Sequence, residues 1–341
     1  MMTDILGFVA AAAIITFSGT QLSRHGDRLA ELTGLSKAWI GLILMATVTS
    51  LPELITALSA VIVVKAPDLA MGNILGSCAF NLLLLSVLDV MVKKPITSLV
   101  KPGHLVAGSF SIILLTTSGI GILLSHQVPL LAWISPFSFL LVLIYMLAVR
   151  GIFQHERSQL TRGETRDFKG ATVSSSEITQ LDNPARRREL LRSMLVYSGH
   201  AVVVIAAALF LPYFGENIAQ KTGLSDTFFG TLFLAIATSL PELVISISAV
   251  RLGSLDMAMG NLLGSNLFNI FVLSITDVFY AGGSLFAVVS STHLLSILAS
   301  VMMTAVVALG LVIRPEKKVW RLSMDSLTIL IIYLLLILVI L

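Results

Sequence analysis

Cysteine is almost missing from this 341-residue chain: Cys78 stands alone. A single thiol excludes an internal disulfide and any cysteine cage for a metal. Charge is scarce as well, at 12% of residues against 56% hydrophobic, and no soluble domain has that balance. Aromatic residues make up 7%, and none accompany the basic run Arg186-Arg187-Arg188, so a nucleic-acid partner is a poor reading. The histidines, His25, His104, His126, His155, His200 and His293, are scattered and none reads as catalytic. No His-Glu-x-x-His motif occurs, and no histidine lies near either glutamate that falls inside an apolar run. An intramembrane enzyme such as a metalloprotease is therefore the less favoured alternative, and the chain reads as no enzyme.

Long apolar runs are what the sequence does have. Ten candidates can span a bilayer, at about 4–23, 38–64, 69–92, 104–125, 128–149, 194–214, 226–250, 257–280, 285–313 and 324–341. The fold class expected is an all-α multi-pass membrane protein, with the lipid bilayer as its first partner. The first run has no basic leader and more spans follow it, which makes it a retained helix. With the amino terminus outside, the inner loops collect 20 of the 22 Lys and Arg residues, and the outer loops hold only Lys65 and Lys221. The positive-inside rule then puts both termini outside a cell (inner) membrane and the polar stretch 151–190 in the cytoplasm. That stretch reads as a linker, flexible or partly helical. Nothing in the sequence marks an oligomeric state.

The two halves repeat. Shifted by 189 residues, Gly26–Val61 matches Gly215–Val250 at 17 of 36 positions without a gap. Shifted by 188, Asp68–Asn81 matches Asp256–Asn269 at 10 of 14. Five spans per half is an odd number, so the second half enters the membrane in the opposite sense, as an inverted-topology repeat. The expected division is 1–150 for the first five-helix repeat, 151–190 for the linker and 191–341 for the second repeat. The repeated core of each half runs over about 41–89 and 230–277.

Each core places Thr-Ser-Leu-Pro-Glu-Leu (49–54 and 238–243) before Gly-Asn-x-x-Gly-Ser-x-x-Phe-Asn (72–81 and 260–269). Glu53 and Glu242 are the only acidic residues well inside a span, and no Lys or Arg lies within a helical turn or two of them. Even the lowest scales put a central charge at roughly 2.5–3.5 kcal/mol for Asp, Lys or Arg, so a bound cation is the simplest counter-charge. A protonated glutamate bonded to a neighbouring helix is the plainer alternative. Pro52 and Pro241 lack an N–H and press on the carbonyls of Val48 and Ala237, so each helix should kink or unwind there. Thr49 and Thr238 sit four residues before the glutamates, on the same helix face. Asn73, Ser77 and Asn81 form a polar stripe at successive fours, repeated as Asn261, Ser265 and Asn269. For Ser77, Asn81, Ser265 and Asn269 the choice lies between ion ligand and inter-helix hydrogen bond, and for Asn73 and Asn261 inter-helix bonding is at least as good a reading. Carboxylate, hydroxyl, amide and carbonyl oxygens are hard ligands, suited to Ca²⁺, Na⁺ or Mg²⁺. Asp89 and Asp277 are expected at the interface near helix ends, Asp89 within reach of Lys93. Asp68 and Asp256 are expected as helix N-caps, and Cys78, where the second copy has Asn266, as a packing residue.

On these motifs the chain resembles the Ca²⁺/cation antiporter superfamily, and within it the prokaryotic sodium/calcium exchanger-like branch. The resemblance spans nearly the whole membrane part. It implies inorganic cations as partners, Ca²⁺ and Na⁺ (or H⁺) as transported ions, and no cofactor. It implies Glu53 and Glu242 as the shared ligands, oxygens from Thr49, Ser50, Thr238 and Ser239, carbonyls from Ala46 and Ala235, and flanking contacts from Ser77, Asn81, Ser265 and Asn269. It implies alternating access, with Ca²⁺/Na⁺ exchange as the first reading and Ca²⁺/H⁺ exchange as the alternative. Many sodium/calcium members carry an aspartate at one Phe-Asn position. Here both are asparagine, which limits the fixed site charge to −2 and leaves stoichiometry and coupling ion open.

Overall fold

A computed structural model describes residues 2–161, 184–222 and 234–340. Seventeen helical segments, fifteen α-helical and two π-helical, follow one another in the described residues. The first half holds α1 (Met2–Thr33), α2 (Lys37–Trp39), a π-helical stretch (Ile40–Met45), α3 (Ala46–Thr49), α4 (Leu51–Ser59), a second π-helical stretch (Ala60–Val64), α5 (Pro67–Met91), α6 (Ile96–Leu99), α7 (His104–Leu124) and α8 (Pro136–Thr161). The second half holds α9 (Pro184–Thr222), α10 (Leu234–Thr238), α11 (Leu240–Arg251), α12 (Leu255–Phe279), α13 (Leu285–Val288), α14 (His293–Ile313) and α15 (Met324–Ile340). Eight spans are long and apolar enough to cross a membrane, and α15 is a shorter apolar helix. The remaining one is the broken pair α10–α11, whose expected beginning at 226 lies outside the described residues, as do Lys221's side chain and residues 162–183 of the linker.

Three expectations need correction. The fifth span begins at Pro136 rather than 128, because 125–135 forms a loop closed by a Leu131–Ile134 bridge and anchored where Asp277 Oδ2 accepts the Ser135 N–H at 2.8 Å. The ninth begins at His293 rather than 285: α13 ends at Val288, and Asp68 Oδ1 takes the Ser290 N–H at 2.7 Å in the turn that follows. Of the expected linker, flexible or partly helical, the described ends are helix: α8 continues to Thr161 and α9 starts at Pro184. Asp89 and Asp277 are not interfacial but fully buried.

Packing follows from the sequence. α5 and α12 lie at the centre, cross one another and carry the longest runs of buried side chains. Three glycines make the close approach between the first repeat and α12 possible. A Cβ on Gly264 would stand 2.1 Å from the Leu42 carbonyl oxygen, one on Gly260 2.6 Å from that of Ala38, and one on Gly41 2.3 Å from that of Met257. No side chain could yield there, because the obstacle is backbone. Around this centre α7, α8, α14 and α15 show their apolar faces outward, with Leu143, Leu309 and Leu338 among the exposed residues, as a lipid-facing surface requires. α1 and α9 pack lengthwise on each other and meet the break in α10–α11 through a separate small cluster of Ala11, Ile15, Ala207, Ala208, Leu211 and Ala237.

Candidate functional site

The site is built where two helices break in the same way. Ser50, at φ −91° and ψ 2°, separates α3 from α4, and Ser239, at φ −87° and ψ 9°, separates α10 from α11. Pro52 and Pro241 occupy the first turn of the new helix, where a missing N–H costs nothing. Glu53 and Glu242 then fall in that first turn, near the unsatisfied N–H groups and positive end of a short helix, which favours an acidic side chain. Both glutamates are 0% exposed.

Each half of the site is completed by the other repeat. Ser50 Oγ donates to Glu242 Oε1 at 3.3 Å, and Ser239 Oγ donates to Glu53 Oε1 at 3.2 Å. Thr49 Oγ1 lies 3.1 Å from Ser265 Oγ, and Thr238 Oγ1 lies 3.4 Å from Ser77 Oγ. Ser265 Oγ also donates to Glu242 Oε1 at 3.4 Å. Asn73 accepts from Thr238 at 3.3 Å, and Asn261 donates to Ser246 at 3.1 Å, so both serve inter-helix bonding. The backbone carbonyls of Ala46 and Ala235 face the same breaks. Ala46 O accepts from Ser50 N at 3.0 Å and lies 3.2 Å from Thr49 Oγ1, while Ala235 O accepts from Ser239 N at 3.1 Å and lies 3.3 Å from Thr238 Oγ1. Both carbonyls are thus engaged in this conformation.

Among the described residues, the second carboxylate oxygen of each glutamate has no hydrogen-bond partner, nor do Asn81 Oδ1 and either amide atom of Asn269. All of these residues are fully buried. Buried polar atoms are normally paired, and unpaired ones call for an unseen water or ion. No three His, Cys, Asp or Glu side chains converge among the described residues. The arrangement is therefore a carboxylate pair surrounded by hydroxyl and amide oxygens, able chemically to hold a hard cation. Of the twelve residues singled out in the sequence, eight form the two breaks, Ser77 and Ser265 contact them, and Asn81 and Asn269 lie one helical turn further along α5 and α12.

Sequence reasoning missed three features. Asn266, next to Ser265, reaches across to the first repeat and joins Asn81 and Cys78. Asp68 and Asp256 are not N-caps, since Ala66 and Ser254 precede α5 and α12. Instead each aspartate grips the other repeat: Asp68 Oδ1 lies 3.0 Å from His293 Nε2, and Asp256 Oδ1 lies 3.1 Å from His104 Nε2. The signal was available, because His104 and His293 are 293 − 104 = 189 residues apart, the repeat shift itself. Finally, Asp89 pairs with Lys318 at 3.0 Å rather than with Lys93, and also accepts from Ile96 N and Ser323 N at 2.8 Å each. Its counterpart Asp277 accepts from Leu285 N, Ser135 N and Ser138 Oγ.

Two inverted five-helix repeats, broken at mid-span around a buried carboxylate pair, define an ion-transporting membrane protein. The sequence profile described as sodium/calcium exchanger protein matches residues 3–153 and 193–341, and the chain belongs to that family. It is a cation/Ca²⁺ antiporter. The sodium/calcium exchanger MaX1 of Methanosarcina acetivorans is 45% identical over 83 residues, 24% of this chain and 23% of that one. The inner membrane protein YrbG of Escherichia coli is 26% identical over 266 residues, 78% of this chain and 76% of its own. The solved structure of the sodium-calcium exchanger NCX_Mj soaked with 2.5 mM Na⁺ and 0.1 mM Ca²⁺ superposes with a TM-score of 0.73 at 20% identity, covering 99% of this chain and 98% of that one. At that identity the likeness establishes a shared fold.

Proposed function

We propose that this antiporter moves Ca²⁺ against Na⁺ by alternating access, with Glu53 and Glu242 as ligands that the two ions share. One observation carries the reading: two fully buried carboxylates, each anchored through one oxygen by the opposite repeat's serine, each with the other oxygen unpartnered. Two uncompensated charges in a dry interior are untenable without a counter-charge, and a divalent cation between them supplies it. Thr49, Ser50, Thr238 and Ser239 contribute hydroxyl oxygens, and Ser77, Asn81, Ser265 and Asn269 form the flanks. The carbonyls of Ala46 and Ala235 become ligands when the threonine hydroxyls turn away from them. With one Ca²⁺ the −2 of the glutamates is neutralised. Na⁺ ions entering the same oxygens displace it, so that occupancy by one species excludes the other.

The moving part in this reading is α1 with α9. They share a lengthwise contact and touch the breaks through a cluster made largely of alanines, which lets one surface shift over another without unlocking large side chains. The repeats are taken as 1–150 and 191–341 with a cytoplasmic linker at 151–190 and both termini outside an inner membrane, on the distribution of Lys and Arg.

⁴⁵Ca²⁺ uptake by purified protein in liposomes tests the reading. An outward Na⁺ gradient drives uptake, a pH or K⁺ gradient alone does not, and Glu53→Gln or Glu242→Gln abolishes it. Uptake that follows the pH gradient and ignores Na⁺ makes H⁺ the coupling ion. The two asparagines at 81 and 269 keep that outcome open, since they add no third fixed charge.

A further inference from the structure

Where the first repeat has Cys78, the second has Asn266, and the two positions meet at the crossing of α5 and α12. Cys78 Sγ is 4.0 Å from the Asn266 carbonyl oxygen, and Asn266 Nδ2 donates to the Cys78 carbonyl oxygen at 3.1 Å. Residues related by the repeat shift that touch each other lie on the pseudo-two-fold axis. The exchange at this position is therefore a departure from symmetry beside the carboxylate pair.

Its consequence follows from donor and acceptor logic. The Cys78 carbonyl can only accept, so Asn266 must turn its NH₂ toward it. The Asn266 amide oxygen is thereby directed elsewhere, and it accepts from Asn81 Nδ2 at 3.1 Å. Asn81 has then committed its NH₂, and its Oδ1 points away from Asn266, buried and without a partner. A backbone carbonyl thus fixes the orientation of two successive amides. Asn269, the counterpart of Asn81, faces the Cys78 thiol at the equivalent place, and neither of its amide atoms makes a geometrically sound hydrogen bond among the described residues. A thiol is a weak donor and a weak acceptor, unable to impose an orientation.

We propose that Asn266 is a positioning residue that holds the Asn81 amide with its oxygen toward the transported cation, and that the Cys78/Asn266 difference makes the two flanks of the site unequal. Asn81 is a fixed oxygen ligand, while Asn269 is free to present either amide atom. This rests on the reading of the carboxylate pair as the Ca²⁺ site.

Equilibrium Ca²⁺ binding to the purified full-length protein in Na⁺-free buffer tests it. Partners that orient metal ligands are typically worth about tenfold or more in affinity, and Asn266→Cys is expected to raise the Ca²⁺ Kd by about that factor. The swap Cys78→Asn/Asn266→Cys moves the oriented amide to the other flank, where it holds Asn269, and returns the Kd to within about twofold of wild type. In an Asn81→Asp background either carboxylate oxygen can face the cation, so adding Asn266→Cys changes Kd by no more than about twofold. Wild-type affinity in Asn266→Cys overturns the proposal, and so does a swap variant as weak as the single one. Should Asn266→Cys alone not fold, Asn266→Ala, which likewise removes the acceptor of the Asn81 amide, is expected to raise the Kd by about the same factor, and wild-type affinity there overturns the proposal. Glu53→Gln serves as the separate control: wild-type Ca²⁺ binding there refutes the site itself, whereas its loss together with unchanged binding in Asn266→Cys refutes only the positioning role.

Discussion

The two repeats share their crossing bonds at the breaks and at the helix starts, and among their differences two change what a buried side chain faces. The serine–glutamate crossings, the threonine–serine contacts and the aspartate–histidine clasps all occur twice with partners exchanged. Cys78 against Asn266 and the Lys318 pairing of Asp89 against the hydroxyl pairing of Asp277 occur once each. The symmetric set ties each repeat to the other, and its serine, threonine and glutamate members line the proposed cation site. The asymmetric set adjusts it. One difference fixes the Asn81 amide, the proposed ligand. The other gives one buried carboxylate a cation and leaves its twin to three neutral donors.

The largest expected effect sharpens the symmetric side. Glu53→Gln and Glu242→Gln should each weaken Ca²⁺ binding by about a hundredfold or more, on the roughly 3–5 kcal/mol cost of breaking a buried charge pair. The two losses should match if the carboxylates are equivalent, which a titration of each variant measures. Next comes the backbone approach of α12. Gly264→Ala drives a Cβ onto the Leu42 carbonyl, and overpacking of this kind costs about 1–3 kcal/mol or more. A lower melting temperature in detergent should show it, and Gly76→Ala asks whether the first repeat pays the same penalty. Lys318→Met should then destabilise by about 1–3 kcal/mol, because Asp89 keeps its backbone donors but loses its cation, whereas Ser138→Ala at Asp277 should cost about 1 kcal/mol. Equal effects would break the claimed difference between these helix ends. The smallest effect belongs to the clasps: His293→Gln, beside an aspartate whose side chain is 56% exposed, should lower stability by under about 1 kcal/mol, and His104→Gln, whose ring is fully buried, by more.

Much of the site was legible because its chemistry is local. A proline, a glutamate and a threonine within five residues specify the break and the carboxylate, and their duplication specifies the partner. The span count was legible for the same reason, since apolar length is a property of a single segment. What stayed hidden depends on which helices meet. Asp68 reads as a cap from its place at the start of α5, yet its carboxylate reaches the turn before α14 in the other repeat. Asp89 has Lys93 at helical spacing, but α5 ends at Met91, and Lys318 enters from the hairpin before α15. Asn266 looks like one more polar residue in a stripe until α12 is laid across α5. The late starts of α8 and α14 were concealed because apolar loops and apolar helices have the same composition, and only the aspartates Asp277 and Asp68, by taking loop N–H groups, separate them.

The most direct test is an anomalous difference map from crystals soaked in Sr²⁺, which stands in for Ca²⁺. The account predicts a single strong peak between Glu53 and Glu242, within about 2.6 Å of an oxygen from each, and its disappearance at high Na⁺. A peak bound to only one of these glutamates, or no peak at the two helix breaks while Sr²⁺ binds elsewhere, would contradict it.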